Sequence, residues 1–230
     1  MQDAYAHDSY FEGGGPGYSS YLAQEPTLRL TFRRFLRELS RRGMAQGNLL
    51  EVGCAYGFFL AEAARYFALR VGTDYSASAV DMARANADRV LLGGLETLGA
   101  DDLFDCAAVI HVIEHIYDPR AFLERLLTHV RPGGWVVLAT PDMGSFWRPL
   151  QRSRWPFFKI PEHVTFFDRR SLRGVLESVG CVEVQTVPYV SVFSLAMIGE
   201  KVGWRPPAFA ERLRFWLPGT TIAAAGRKPA

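Results

Sequence analysis

Apolar and polar positions alternate along this chain in two rhythms. Between Thr27 and Arg42, Leu28, Phe32, Phe35, Leu36 and Leu39 recur at helical spacing, which predicts a helix with one apolar stripe; Gly43 supplies its stop. Arg29, Arg33, Arg37 and Arg41 follow another face, expected to be a solvated surface. Short apolar runs and helical stretches then take turns. Strands are predicted at 48–52, 69–73, 90–92, 105–112, 135–140, 182–187 and 220–225. Helices are predicted at 57–67, 77–88, 118–130 and 169–180. Strand–helix repetition of this kind predicts an α/β fold, a doubly wound, mostly parallel sheet with helices on both faces. Residues 1–26 are rich in Tyr, Gly and Ser and read as a mobile or capping segment. The stretch 189–217 interrupts the regular order, carrying Phe193, Trp204, Phe209, Phe215 and Trp216.

Composition narrows the class. The 230 residues are 49% hydrophobic and 22% charged, enough apolar mass for a large core and too much for intrinsic disorder. The organisation expected is one domain: a cap and helix over 1–42, a ligand-binding core over 43–187, an aromatic insert over 188–218, and a last strand and tail over 219–230. The net charge of +2 does not announce a nucleic-acid binder. Cys54, Cys106 and Cys181 form no C-x-x-C pair, so zinc and redox motifs are not expected; free thiols suit a reducing compartment. No run of 18 apolar residues and no secretory leader pattern is present, and the expected location is the cytoplasm.

The chemistry starts at Leu49-Leu50-Glu51-Val52-Gly53-Cys54-Ala55-Tyr56-Gly57, where an apolar strand runs into small residues and then a helix. In doubly wound sheets, ligands bind outside the carboxyl ends of the strands. The dinucleotide fingerprint does not fit, since its three glycine positions would hold Gly53, Ala55 and Phe58; this disfavours a nicotinamide-dependent oxidoreductase. Asp74 closes the second strand, placed to accept hydrogen bonds from both hydroxyls of a ribose. Glu51 suits a cationic or amine-bearing ligand rather than a phosphate. A nucleoside without a diphosphate, carrying a cation, describes S-adenosylmethionine.

These segments, in order, resemble class I S-adenosylmethionine-dependent methyltransferases of the small-molecule type. Leu49–Gly57 resembles the first family motif and Gly72–Ser76 the second. Phe104–Pro119, with His111-Val112-Ile113-Glu114-His115, is similar to the fourth-strand motif. Arg131-Pro132-Gly133-Gly134 resembles the turn before the fifth strand. Pro161–Phe167 followed by Ser171-Leu172 resembles members acting on sugars, quinone precursors and natural products. The resemblance implies a seven-stranded sheet whose last strand is antiparallel, with an N-terminal helical cap. It also implies that S-adenosylmethionine is consumed and S-adenosylhomocysteine released. Ala55 departs from the usual second glycine. The acidic residue after the third strand is replaced near Gly94, where Leu95 or Glu96 would serve the adenine.

Roles follow from that resemblance. Glu51 and Gly53 would hold the methionine part, with Cys54, Ala55 and Gly57 of the same turn also binding the cofactor, Asp74 and Tyr75 the ribose and adenine, and His111 the region near the methyl group. Methyl transfer chiefly needs alignment. A base helps when the acceptor sheds a proton, and His163, then His115, are the candidates. The long connection 141–168 holds an aromatic and cationic set, with Trp147, Arg148 and Arg152 as acceptor contacts and Tyr18 from a lid at Tyr10–Tyr21. The acceptor expected is a small molecule, its oxygen favoured over nitrogen and carbon. Methylation of protein or RNA, and a non-catalytic cofactor-binding protein, are the rivals. The aromatic insert could wall the acceptor site, make a homodimer or meet a membrane surface, with packing on the core the default. No metal is expected.

Overall fold

In the computed structural model the described residues are 21–151, 162–201, 210 and 212–230. A 3₁₀ turn at Tyr21–Gln24 leads into helix α1 (Glu25–Arg41). The strands are β1 (Asn48–Val52), β2 (Leu69–Asp74), β3 (Arg89–Leu92), β4 (Phe104–Ile110), β5 (Val130–Pro141), β6 (Val182–Val187) and β9 (Thr221–Arg227). Helices α2 (Phe58–Ala63), α3 (Ala77–Ala83), α4 (Pro119–Thr128), α5 (Arg148–Gln151) and α6 (Arg169–Ser178) connect them.

The seven strands form one sheet in the order β3-β2-β1-β4-β5-β9-β6. β1 pairs in parallel with β2 on one side and β4 on the other, so the strand order reverses there. Such a switch point opens a crevice at the carboxyl edge. β9 runs antiparallel to both β5 and β6, as the resemblance implies for the last strand.

Period-two alternation divides the core between the sheet's faces. Leu49, Cys106, Ala108, Val137 and Ala139 pack with Phe32, Phe35, Leu36 and Leu39 of α1 and Phe59 and Leu60 of α2. Leu50, Val52, Ala107, Val109, Val136 and Leu138 pack with Leu123 and Leu126 of α4 and Leu172 and Leu176 of α6. Strands buried on both faces need apolar residues at every position, which is why they read as unbroken runs.

Several boundaries move for local reasons. The helix expected from Gly57 to Phe67 covers Phe58–Ala63, with left-handed Gly57 as its N-cap. The helix expected over 77–88 ends at Ala83. Asp118 and Asp168 cap α4 and α6 by accepting from Ala121 N and Ser171 N. The strand expected to reach Val112 stops at Ile110, because His111 adopts a φ of 55° and cannot extend it.

The arginine stripe on α1 is not simply solvated. Arg29 and Arg33 reach Glu62 of α2, with Arg33 Nε at 2.9 Å, and Arg29 also lies 5.2 Å from the Phe58 ring centroid. The cap is thereby tied to the helix that follows the glycine turn. The insert also departs from expectation: β7 (Val190–Ser194) and β8 (Arg214–Pro218) pair as an antiparallel ribbon carrying α7 (Leu195–Lys201). Phe215 and Trp216 are exposed rather than packed into the core, and Arg34 lies over Trp216. Trp204 and Phe209 lie outside the described residues. No described helix is long and apolar enough to cross a membrane.

Candidate active site

β1 delivers Glu51 and Val52 to the carboxyl edge, and the chain reverses over five residues. Gly53, Ala55 and Gly57 have φ of 71°, 46° and 74°, a left-handed region open to glycine and strained for alanine. Gly53 N and Cys54 N both donate to Thr73 O, which ties the turn to β2. A Cβ on Gly53 would run into the Val112 side chain, so glycine is required for the turn to lie against the end of β4. Cys54 is buried, and burial with the charges of Glu51 and Asp74 pushes its thiol well above the usual range. It packs as a small apolar residue.

Asp74 is held from two sides. Its Oδ2 accepts from Ala55 N at 2.8 Å and its Oδ1 from Ser76 N at 3.0 Å. Burial raises its carboxyl, against the lowering effect of hydrogen bonds from Ser76, Ala55 and Tyr75. Beside it, Tyr75 donates to Glu96 Oε2 at 3.2 Å, and Glu96 Oε1 accepts from Gly94 N at 2.7 Å. Leu95 is buried under this corner. Tyr75, Leu95 and Glu96, chosen from loosely spaced motifs, thus stand next to Asp74.

Glu51 is the electrostatic anomaly of the site. It is buried, and its Oε2 has no hydrogen-bond partner among the described residues. Burial, reinforced by the charge of Asp74, pushes its carboxyl well above the usual range. Tyr21 closes over this region, stacked on Phe58 at 5.6 Å and edge-on to Tyr56 at 5.3 Å. Burial, then the charge of Glu51, raises the Tyr21 phenol; Tyr189, Cys54 and Asp74 act in the same direction. Tyr189 enters from the other side, its ring centroid 4.7 Å from Phe35 and 6.3 Å from His111. Tyr21 lies within the expected lid. Nothing in the sequence distinguished Tyr189 from the other aromatic residues of its insert.

The three other predicted groups divide. His111 follows β4 at the crevice, with Nδ1 3.3 Å from Glu114 Oε1. His115 and His163 are buried and face each other edge-on at 4.8 Å. Their segment is strapped down: Val164 N and Thr165 N donate to Glu114 O, and His115 Nδ1 bonds the Glu162 carbonyl at 2.8 Å. Glu114, His115 and His163 each offer an atom within 4.8 Å of the others, a spacing compatible with a metal ion. Glu114 also bonds His111 through Oε1 and Thr140 through Oε2, which ties this cluster to the end of β4 and to β5. Sequence reasoning missed Glu114; the one signal was its place three residues after His111.

Of the groups expected to contact the acceptor, Trp147 donates from Nε1 to Pro218 O at 2.8 Å, and Arg148 donates to Met143 O. Arg148, Met143 and Phe166 border an open cleft of about 670 Å³ that continues over α6 and includes none of the residues around Asp74. Tyr18 and Arg152 lie outside the described residues.

A buried carboxylate with an orphan oxygen fits a cation, and a second carboxylate fixed at a strand end fits a diol. Two carboxylates together disfavour a phosphate. These features fit S-adenosylmethionine, a sulfonium nucleoside with an amino-acid tail, which supplies an electrophilic methyl group when bound. The fold and the site thus define a class I methyltransferase. Residues 23–186 match the family model described as a methyltransferase domain, and the chain belongs to that family. It is an S-adenosylmethionine-dependent methyltransferase.

Among its relatives is a ubiquinone biosynthesis O-methyltransferase of Rhodopseudomonas palustris (strain BisB18). That protein is 28% identical over 182 residues, covering 67% of this chain and 72% of the relative. In fold, the chain is similar to a Thermotoga maritima S-adenosylmethionine-dependent methyltransferase, with a TM-score of 0.63 and 19% identity over 90% of this chain and 92% of that one. It is also similar to the magnesium protoporphyrin IX methyltransferase of Synechocystis PCC 6803 crystallised with S-adenosylhomocysteine. The TM-score there is 0.60 and the identity 14%, over 96% of this chain and 93% of that one.

Proposed function

We propose that this methyltransferase makes a methyl ether, transferring the methyl group to a hydroxyl oxygen of a small molecule in a biosynthetic pathway. The observation that carries the reading is the similarity to O-methyltransferases of ubiquinone biosynthesis, which extends over two thirds of the chain. In this reading Asp74 holds the ribose diol, and Glu51 receives the ammonium of the methionine part. Gly53, Cys54, Ala55 and Gly57 shape the space for that part, and Tyr75, Leu95 and Glu96 border the adenine. Tyr21 excludes water from the mouth. Trp147, fixed by its indole N–H, and Arg148 stand on the acceptor side.

The experiment is turnover with methyl-labelled S-adenosylmethionine and a panel of catechol, phenol, methyl glucoside and benzylamine, read by mass spectrometry. A methyl ether with release of S-adenosylhomocysteine is expected from at least one hydroxyl compound. N-methylbenzylamine as the sole product would overturn the oxygen assignment. So would cofactor binding without turnover of any acceptor, which would favour the non-catalytic rival.

A further inference from the structure

β4 ends on a strained residue. His111 holds a φ of 55°, a conformation costing a side chain other than glycine about 1 kcal/mol or more. The strain is locked in by β5, since His111 N donates to Ala139 O at 2.8 Å. Strain of this kind is kept where a side chain must be aimed. Here it carries the imidazole edge-on to Tyr189 and sets Nδ1 on Glu114 Oε1.

Glu114 is built to act on that ring. It is 2% exposed, and its other oxygen accepts from Thr140 Oγ1 at 3.0 Å. Burial works to raise its carboxyl, but the His111 hydrogen bond, then the charges of His111 and His115, hold it below the ordinary range. A carboxylate oxygen 3.3 Å from Nδ1 accepts the ring proton held there and leaves the lone pair on Nε2. Among the described residues Nε2 has no hydrogen-bond partner, and the side chain is 38% exposed. His111 follows β4 at the carboxyl edge and meets Tyr189 edge-on, and the Tyr189 phenol is in turn raised by burial and by the charge of Glu51, so the ring stands on the Glu51 side of the crevice. Glu114 and Tyr189 are the titratable groups facing it, with His115 behind Glu114 and Glu51 behind Tyr189. His163 and His115, the bases expected from sequence, are buried against each other instead.

We propose that His111 is the general base of the transfer and that Glu114 is its positioning residue. The inference rests on the hydroxyl-acceptor reading above. As the acceptor oxygen bonds to the methyl carbon, its proton passes to His111 Nε2. The carbon–sulfur bond breaks with its electron pair going to sulfur, so the neutral thioether and an imidazolium are left, and the proton is later lost to solvent.

The test uses His111→Asn and His111→Gly, both compatible with a positive φ, and Glu114→Gln. The acceptor is whichever hydroxyl compound of the panel turns over fastest, starting from catechol. His111→Asn should lower kcat by about 100-fold or more, the usual worth of a general base, and should remove the acid limb of the pH profile. Calorimetry should still show S-adenosylhomocysteine binding. Added imidazole should restore His111→Gly. Nitrogen-15 spectra of labelled protein should show the His111 proton on Nδ1 in the wild type and lose that preference in Glu114→Gln.

A methyl ether formed by His111→Asn within threefold of the wild-type rate would overturn the base assignment while leaving O-methylation intact. Products methylated only on nitrogen would overturn the underlying reading instead. A proton on Nε2 in the wild type would overturn the proposal whatever the acceptor, and an unchanged tautomer in Glu114→Gln would remove the positioning role.

Discussion

Asp74→Asn separates what the carboxylate does for the turn from what it does for the cofactor. Its oxygens accept backbone N–H groups, Oδ2 from Ala55 at 2.8 Å and Oδ1 from Ser76 at 3.0 Å. An amide keeps one acceptor and turns its NH₂ on the other N–H, so one of these donors loses its partner. An unpaired donor at a partly buried site costs about 1–2 kcal/mol, which lowers the melting temperature of the cofactor-free protein by a few degrees. The ribose loses a charged acceptor separately. Two hydroxyl bonds to a carboxylate exceed their neutral counterparts by about 1 kcal/mol each, so binding weakens by about 2 kcal/mol, or roughly thirtyfold in Kd. Calorimetric titration with S-adenosylhomocysteine measures the second quantity and thermal unfolding the first. Affinity within threefold of wild type would refute the assignment of Asp74 to the ribose. An unchanged melting temperature would refute its place in the turn.

Glu51→Gln should raise the melting temperature of the cofactor-free protein at pH 7 by a few degrees while weakening cofactor binding, because burial makes its charged form costly; differential scanning calorimetry checks the first and titration calorimetry the second. For the same reason, binding a cation beside Glu51 should release protons, seen as a binding enthalpy that changes with the ionisation heat of the buffer. Gly53→Ala should abolish cofactor binding and cost about 1–3 kcal/mol of stability in denaturant unfolding, since its Cβ meets Val112 at a positive φ. Glu62 works with the opposite sign to Glu51. Burial raises its carboxyl, but the hydrogen bond and charge of Arg33 and Arg29 win and hold it below the ordinary range. Its pairing therefore stabilises above the ordinary carboxylate range and is lost as pH falls through the lowered value. Glu62→Gln should cost about 1 kcal/mol in melts at pH 7, and progressively less as the pH is taken below the ordinary carboxylate range.

The order of strands and helices was legible because a strand buried on two faces must be apolar throughout, as Asp105–Ile110 nearly is, and because α1 and α6 each bury one stripe. The corner of the site around Gly53 and Asp74 was legible for a related reason. Both residues sit at strand ends, where backbone geometry dictates residue type over short distances in the chain.

What the tertiary structure alone decided involves residues far apart in sequence or in unusual backbone states. Thirty-three residues separate Arg29 from Glu62, so a stripe that periodicity could only class as surface joins two helices. Tyr189, in the short link between β6 and β7, meets His111 across 78 positions of chain, a contact no local pattern encodes. The turn at His111 depends on β5 holding a strained φ, and strain borne by tertiary contacts leaves no trace in hydrophobic spacing. His115 and His163 look like free acid–base groups in a linear reading. Only the packing of their two loops buries them against each other and leaves His111 with a nitrogen to spare.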